Sequence, residues 1–195
     1  MNGQVLPCDY TREEARDVLR EMVDDSVLDL VENHLVTDHI SLHVSYGKSE
    51  GEMAEDAGGD ASEGSAKAGG LFDGGHGIRR VGGARPHGGG SRKIPERTNS
   101  FAKLYGYLEA LFRETVDPAR TMRKISIGFG NLVDADLATV DLFTDVAAAD
   151  RERRRAEAVL AVKEKFGKNA LIKGTSLKEH ALGRERNTMV GGHHG

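Results

Sequence analysis

The clearest pattern in the chain is a strict alternation of apolar and polar positions around residue 40. The apolar members of this alternation are Ile40, Leu42, Val44 and Tyr46. A second alternation places apolar side chains at Ile125, Ile127 and Phe129. Because successive side chains of a strand point to opposite sides of a sheet, both segments are predicted to be strands with one buried face.

Elsewhere the spacing of apolar residues is helical. Thr11 and Glu14 form a capping-box pattern that predicts the start of a helix, which continues to about Val31 with its acids on the outer face. Asn99 or Ser100 is predicted to cap a second helix, whose apolar residues recur every three or four positions.

Shorter patterns complete the predicted fold. Residues 4–6 form a possible first strand, and residues 91–94 form a return strand that Pro95 is expected to stop. The resulting order, βαββαβ, predicts an α+β fold with a four-stranded antiparallel sheet and both helices on one face. A charged third helix is predicted over about 147–166, followed by a possible short strand at 170–172.

The segment between the two hairpin strands differs in composition from the rest of the chain. Residues 51–90 hold 14 of the 25 glycines, with very few apolar residues. Since so little apolar surface cannot offset the loss of chain entropy, residues 47–90 are predicted to be a disordered insertion. The predicted organisation is a domain formed by 1–46 and 91–130, a linker over 131–145, and a helical extension over 146–195.

Charge is strongly segregated along the chain. Residues 9–38 carry ten acids and three bases, whereas residues 78–124 carry eleven bases and four acids. Residues 151–195 are also basic, with eleven bases and five acids. Both basic regions are expected to attract a polyanion such as nucleic acid, with an affinity that falls as salt rises.

The sequence offers little support for a metal or catalytic site. The eight histidines are scattered, and the chain has one cysteine, Cys8, which is expected to be a small buried side chain. Asp134 and Asp136 superficially resemble a metal pair, which leaves open a metal-dependent nuclease. We expect no catalytic residue, metal ion or cofactor in this chain, and no apolar run approaches the roughly 20 residues of a membrane span.

Several motifs resemble those of a known family. The strand RKISIGF is similar to the last strand of the little-finger domain of Y-family (UmuC/DinB-type) translesion DNA polymerases. The peptide TVDLF resembles, in degenerate form, the sliding-clamp-binding peptide of bacterial polymerases. The pattern KEKFGKNALIKGTSL, with RERNTMVGGH after it, is similar to the C-terminal extension of the UmuC-like branch.

This resemblance implies two binding sites. The open sheet face would lie along duplex DNA without reading its sequence, with contacts from Ser41, His43, Ser45, Arg92, Lys93, Arg123, Lys124, Ser126 and Gly128. The sliding clamp would be held by Thr139, Val140, Asp141, Leu142 and Phe143. Thr139 stands where the family usually has Gln, so clamp affinity is expected to be weaker.

The resemblance also implies what this sequence lacks. Polymerase chemistry needs palm carboxylates that hold two Mg²⁺ ions, and we expect none of these carboxylates in this chain. The chain is therefore interpreted as either a gene fragment or a split product whose polymerase catalytic part is encoded separately, and it is expected in the cytoplasm and away from membranes. The alternative is a free-standing, non-enzymatic regulator that binds DNA or the clamp.

Overall fold

The computed structural model describes residues 2–47, 87–137 and 145–188. The strands in these ranges are β1 (Asn2–Tyr10), β2 (Leu35–Tyr46), β3 (His87–Thr98), β4 (Met122–Gly130) and the short β5 (Val133–Asp134). The helices are α1 (Arg12–Glu32), α2 (Phe101–Thr115), α3 (Val146–Phe166) and the single turn α4 (Gly183–Arg186). The predicted βαββαβ order and α+β fold class are confirmed.

The main sheet is antiparallel, with strand order β1-β4-β2-β3, and β5 pairs with the start of β2. In this register Leu42 lies opposite Ile127, and Val44 lies opposite Ile125. All four side chains are at most 3% exposed and form one core with apolar residues of α1 and α2. The alternating side chains on β2 and β4 therefore face away from these two helices.

Helix α1 begins as predicted. The Thr11 backbone N–H donates to Glu14 Oε2 over 2.8 Å, and the Glu14 N–H donates to Thr11 Oγ1 over 3.4 Å. The expectation that all its acids face outward is wrong for Glu21, which is only 5% exposed. The C-terminal extension packs over this part of α1, so the side of the helix turned away from the sheet is also covered.

Strand β3 is longer than predicted and is not stopped by Pro95. It begins at His87 rather than at residue 91, and it ends at Thr98. The register jumps from His39 opposite Lys93 to Thr37 opposite Thr98, so residues 94–97 bulge opposite a single residue of β2. Because β3 is an edge strand and Pro95 lies in this bulge, the missing proline N–H costs no regular ladder bond.

Helix α2 follows the prediction closely. Ser100 is the N-cap, and its Oγ accepts a hydrogen bond from the Lys103 N–H over 3.4 Å. Leu104, Leu108 and Phe112 are at most 2% exposed and face the core. None of the described helices is both long and apolar enough to cross a membrane.

Cys8 is exposed, which corrects the expectation that it is buried. It alternates in step with Leu6 and Tyr10, which are both 1% exposed. The pairing of β1 with β4 is irregular between Val5 and Tyr10, however, so strict alternation fails over this stretch. The Cys8 thiol is consequently exposed although Leu6 and Tyr10 are buried.

The extension contains no strand at residues 170–172, contrary to the prediction. Helix α3 ends at Phe166, and the positive φ of 93° at the following C-cap residue Gly167 suits glycine. The chain then folds back on itself, because Asn169 donates to the Arg184 carbonyl over 3.2 Å and Asn187 donates to Asn169 Oδ1 over 2.8 Å. These asparagines account structurally for the KN and RERN parts of the tail pattern.

Candidate nucleic-acid interface

The polar face of the sheet is built mainly by its two central strands. His43 lies opposite Ser126, and Ser45 lies opposite Lys124. Ser41 lies opposite Gly128 and donates a hydrogen bond to its carbonyl over 3.3 Å. The structure therefore brings together on β2 and β4 the side chains that alternation assigned to this face.

These residues differ in how accessible they are. Ser126 is only 6% exposed, so its hydroxyl is not openly presented as the alternation suggested. It lies between His43 on β2 and Gly3 on β1, where a Cβ on Gly3 would approach its Oγ to 2.9 Å. Lys124 is exposed, and among the described residues no carboxylate lies within 4.0 Å of its ammonium group.

The three other predicted cations all face carboxylates. Lys93 lies opposite His39 on the same face, with its Nζ 3.8 Å from the Asp38 carboxylate. Arg123 lies where the register with β2 shifts, and its Nε is 3.4 Å from Asp9 Oδ1. Both side chains remain substantially exposed, 73% for Lys93 and 43% for Arg123, so an approaching phosphate can still reach them.

Arg92 does not join the polar face. It lies opposite Ile40, a core residue, and therefore projects to the side of the sheet that the helices cover. Its Nη2 is 2.5 Å from Glu114 Oε2 on α2, and this partner raises the pKa of Arg92 and lowers that of Glu114. Arg92 thus forms an ion pair that joins β3 to α2.

The structure adds histidines that the sequence analysis did not include in this site. The His87 ring stacks on that of His43, with centroids 5.2 Å apart and planes 13° from parallel. His39 lies on the same face, against Gly130. The alternation His87, Gly89, Ser91 and Lys93 could have indicated this extension of the strand, but the surrounding glycines concealed it.

One member of the stacked pair, His43, has an altered pKa. Burial lowers the pKa of His43 below its ordinary value of 6.5, and the neighbouring His87 and Lys124 lower it further. A neutral imidazole is therefore favoured at this position when no anion is present. An anion placed above the ring would raise the pKa of His43.

The second basic region of the sequence lies elsewhere. Residues of the C-terminal extension pair with the acids of α1, on the side of that helix away from the polar sheet face. The ion pairs are Lys178 with Asp17 at 2.7 Å, Lys163 with Asp25 at 3.7 Å, Lys173 with Asp24, and Arg186 with Asp25. His180 Nε2 also lies 2.9 Å from Glu14 Oε1. Four of the eleven bases in residues 151–195 are thus opposed by acids of α1.

No group of three or more metal-ligating side chains converges within the described ranges. Asp134 and Asp136, the pair considered for a nuclease, lie at the end of β5 and in the short 3-10 turn after it. Asp134 Oδ1 accepts the Asp136 backbone N–H over 2.9 Å, so this carboxylate shapes the local turn. The predicted clamp-binding residues 139–143 lie outside the described residues.

A four-stranded antiparallel sheet with helices on one side and a polar, partly cationic surface on the other defines a small α+β domain with one face available to a partner. The model of the impB/mucB/samB family C-terminal domain matches residues 1–142, and the chain belongs to this family. The matched part is the C-terminal little-finger region of UmuC-like Y-family polymerases. No curated protein and no solved structure matches the chain.

Proposed function

We propose that this chain is the part of a Y-family translesion polymerase that grips DNA and tethers the enzyme to the sliding clamp. Family membership over residues 1–142 supports a role in DNA damage tolerance. The observation that carries the DNA-binding proposal is the polar open face formed by β2 and β4 in a domain of this family.

The chemistry of this face suits the phosphate backbone of a duplex. Lys124 supplies a positive charge, Ser41 and Ser45 supply hydroxyls, and Gly128 has no side chain to keep a phosphate away. Such contacts position a protein on DNA but do not distinguish bases. With few cations available, the affinity should resemble that of non-specific binders, roughly 10⁻⁴ to 10⁻⁶ M at physiological salt.

The clamp tether rests on residues 139–143. The Leu142 and Phe143 side chains would enter an apolar pocket of the clamp, each contributing about 1.5–3 kcal/mol if fully buried. Ordering the segment opposes binding, so the affinity should be micromolar. In such an enzyme, polymerase chemistry and its Mg²⁺ ions belong to the palm and not to this domain.

A titration with labelled primer–template duplex tests the DNA proposal. We expect weak binding that is equal for unrelated sequences and is lost as salt is raised. A salt-independent affinity, or a strong preference for one sequence, would contradict the sheet-face proposal.

A titration with sliding clamp tests the tether. The double variant Leu142→Ala with Phe143→Ala should lose clamp binding, whereas Thr139→Gln should strengthen it by restoring an amide. Both variants should keep the wild-type circular dichroism and DNA affinity. If the double variant unfolds, the two side chains belong to the core and the clamp proposal fails.

A free-standing regulator would give the same two titrations, so the neighbouring coding sequence must separate the alternatives. An adjacent frame that encodes palm carboxylates would favour the polymerase. Its absence, with clamp and DNA binding intact, would favour the regulator. Absence of both binding activities would exclude both.

A further inference from the structure

The polar sheet face carries few freely available positive charges. Lys93 and Arg123 each lie within 4.0 Å of a carboxylate, and Arg92 projects to the other side of the sheet. Lys124 is the cation of the predicted set for which no such partner is found among the described residues. A single lysine provides only weak electrostatic attraction for a polyanion.

Histidines lie beside this lysine. His43 is two residues from Ser45, the position opposite Lys124, and His87 lies opposite the same Ser45 from the other neighbouring strand. The two imidazole rings stack in nearly parallel planes. His87 is exposed and His43 is partly exposed, so an anion above the sheet can reach the pair.

We propose that His43 and His87, together with Lys124, form a proton-linked phosphate site on the open sheet face, whose ligand is the phosphodiester backbone of DNA. This inference rests on the proposed DNA-binding function and deepens it. It adds His87 to the site and makes the number of positive charges on the face depend on pH.

The groups around the stacked pair support this assignment. From β4, Lys124 and Ser126 face His43, and from β3 the facing group is His87; further along the sheet lie His39 and Lys93. No described carboxylate lies within 4.0 Å of a ring nitrogen of His43 or His87, so neither ring has an acidic partner in these ranges. A bound phosphate would be the missing counter-charge.

The sign of the pH effect follows. The pKa of His43 is lowered in the free protein by burial and by the neighbouring His87 and Lys124. A phosphate above the ring stabilises the charged form and raises that pKa, so binding takes up a proton. Affinity must therefore rise as pH falls from above the bound-state pKa towards the free-state pKa, and then level off.

The size of the effect can be estimated. A pKa that rises by one unit on binding increases the limiting affinity about tenfold. Each imidazolium that contacts a phosphate should also make the negative slope of log affinity against log salt steeper by about 0.9. Between pH 8 and pH 5.5 we expect a gain in affinity of roughly tenfold to 100-fold for two linked histidines.

The test is a titration of the full chain with labelled primer–template duplex at several pH values and two salt concentrations. His43→Gln and His87→Gln should each flatten the pH dependence, and the double variant should nearly abolish it. His34→Asn is the matched control, since His34 is exposed after α1 with a positive φ of 54° that asparagine tolerates. Circular dichroism at each pH monitors folding.

Two further measurements keep the inference open to refutation. His87→Lys should recover at pH 8 part of the affinity that the wild type gains at low pH, because it places one permanent positive charge beside His43. NMR titration of the His43 ring should show its pKa rising when DNA is added. A pKa unchanged by DNA, or a pH dependence that survives in the double variant, would overturn the inference.

The outcomes also separate this inference from the function on which it rests. If the wild type binds no DNA at any pH, the proposed function fails. If it binds DNA equally at pH 8 and pH 5.5, DNA binding stands and the proton-linked site is rejected.

Discussion

The open sheet face and the C-terminal extension both carry basic side chains, but the two regions place them differently. In the extension, Lys173 and Lys178 are held by Asp24 and Asp17 of α1. On the sheet, Lys124 is exposed with no described carboxylate within 4.0 Å. Lys173 and Lys178 thus attach the extension to α1, whereas Lys124 stays available to a partner.

This difference shows that a count of charges does not give their availability. The acidic stretch 9–38 and the basic stretch 151–195 have opposite charge, and the structure places them against each other. One consequence is that Asp17, Asp24 and Asp25 are each paired with a base, which weakens the repulsion these acids would exert on a polyanion.

The largest effect is expected when the edge of the sheet is disturbed. Gly89 has φ of 112°, and a Cβ there would lie 2.2 Å from the Leu42 carbonyl oxygen. Gly89→Ala should lower the free energy of unfolding by about 3 kcal/mol, since backbone strain adds to the clash. Urea denaturation measures this change.

Gly90→Ala is the matched control for this prediction. Its added Cβ would meet only Leu111 Cδ1 at 3.9 Å, an ordinary contact, and the change should be within about 1 kcal/mol. Equal effects of the two substitutions would contradict the position of β3, and with it the placement of His87 beside His43.

The next largest effect should come from the attachment of the extension. Glu21 Oε2 accepts the backbone N–H groups of Leu182 and Gly183, each over 3.0 Å, in a buried position. Glu21→Ala leaves both donors unpaired and should destabilise this contact by about 2–3 kcal/mol. Faster hydrogen exchange of these two amides would report the change.

Glu13→Ala provides the comparison on the same helix. Glu13 is exposed in the first turn of α1, where it contributes at most about 1 kcal/mol through the helix dipole. The Glu13→Ala variant should leave the hydrogen exchange of the amides of residues 182–183 unchanged. If Glu21→Ala also leaves it unchanged, the extension is not held on α1 through this carboxylate.

The sequence predicted the sheet well because alternation and helical spacing are local signals. The buried set around Ile40, the capping box at Thr11 and the cap at Ser100 are all confirmed. Pro95 was misleading because a proline stops a strand only where its N–H is needed, and the bulge in an edge strand removes that need.

The errors at the candidate site have a common cause. Whether a cation is available depends on which residue lies opposite it after folding, and this partner can be distant in sequence. Arg92 meets Glu114, while Lys178 meets Asp17, 161 residues away. The stacking of His87 on His43 also needed the strand register, which the glycine-rich neighbourhood of His87 did not reveal.

A smaller effect should separate the two basic regions directly. Lys124→Ala should weaken DNA binding about fivefold and make the salt slope shallower by about one unit. Lys178→Ala removes the same charge from the extension, where it pairs with Asp17, and should change DNA affinity by less than about twofold. Equal losses would mean that only net charge matters, which would remove the distinction between the regions.

The smallest effect concerns the carboxylate that joins the helix cap to the extension. Glu14 accepts hydrogen bonds from the Thr11 backbone and side chain and also faces His180, and these contacts lower its pKa. A carboxyl with a lowered folded-state pKa adds stability above its unfolded-state pKa and loses that contribution as pH falls through the folded-state value. Glu14→Gln keeps a hydrogen-bond acceptor but removes the charge.

We therefore expect the wild type to be more stable than Glu14→Gln at pH 7 by no more than about 1 kcal/mol. The difference should shrink as pH falls below the ordinary glutamate value of 4.5 and vanish once pH lies well below the lowered folded-state pKa of Glu14. Paired urea titrations at each pH cancel the contributions of the other carboxylates. A difference that stays constant with pH would show that the cap acts through hydrogen bonding alone, without help from charge at the junction with the extension.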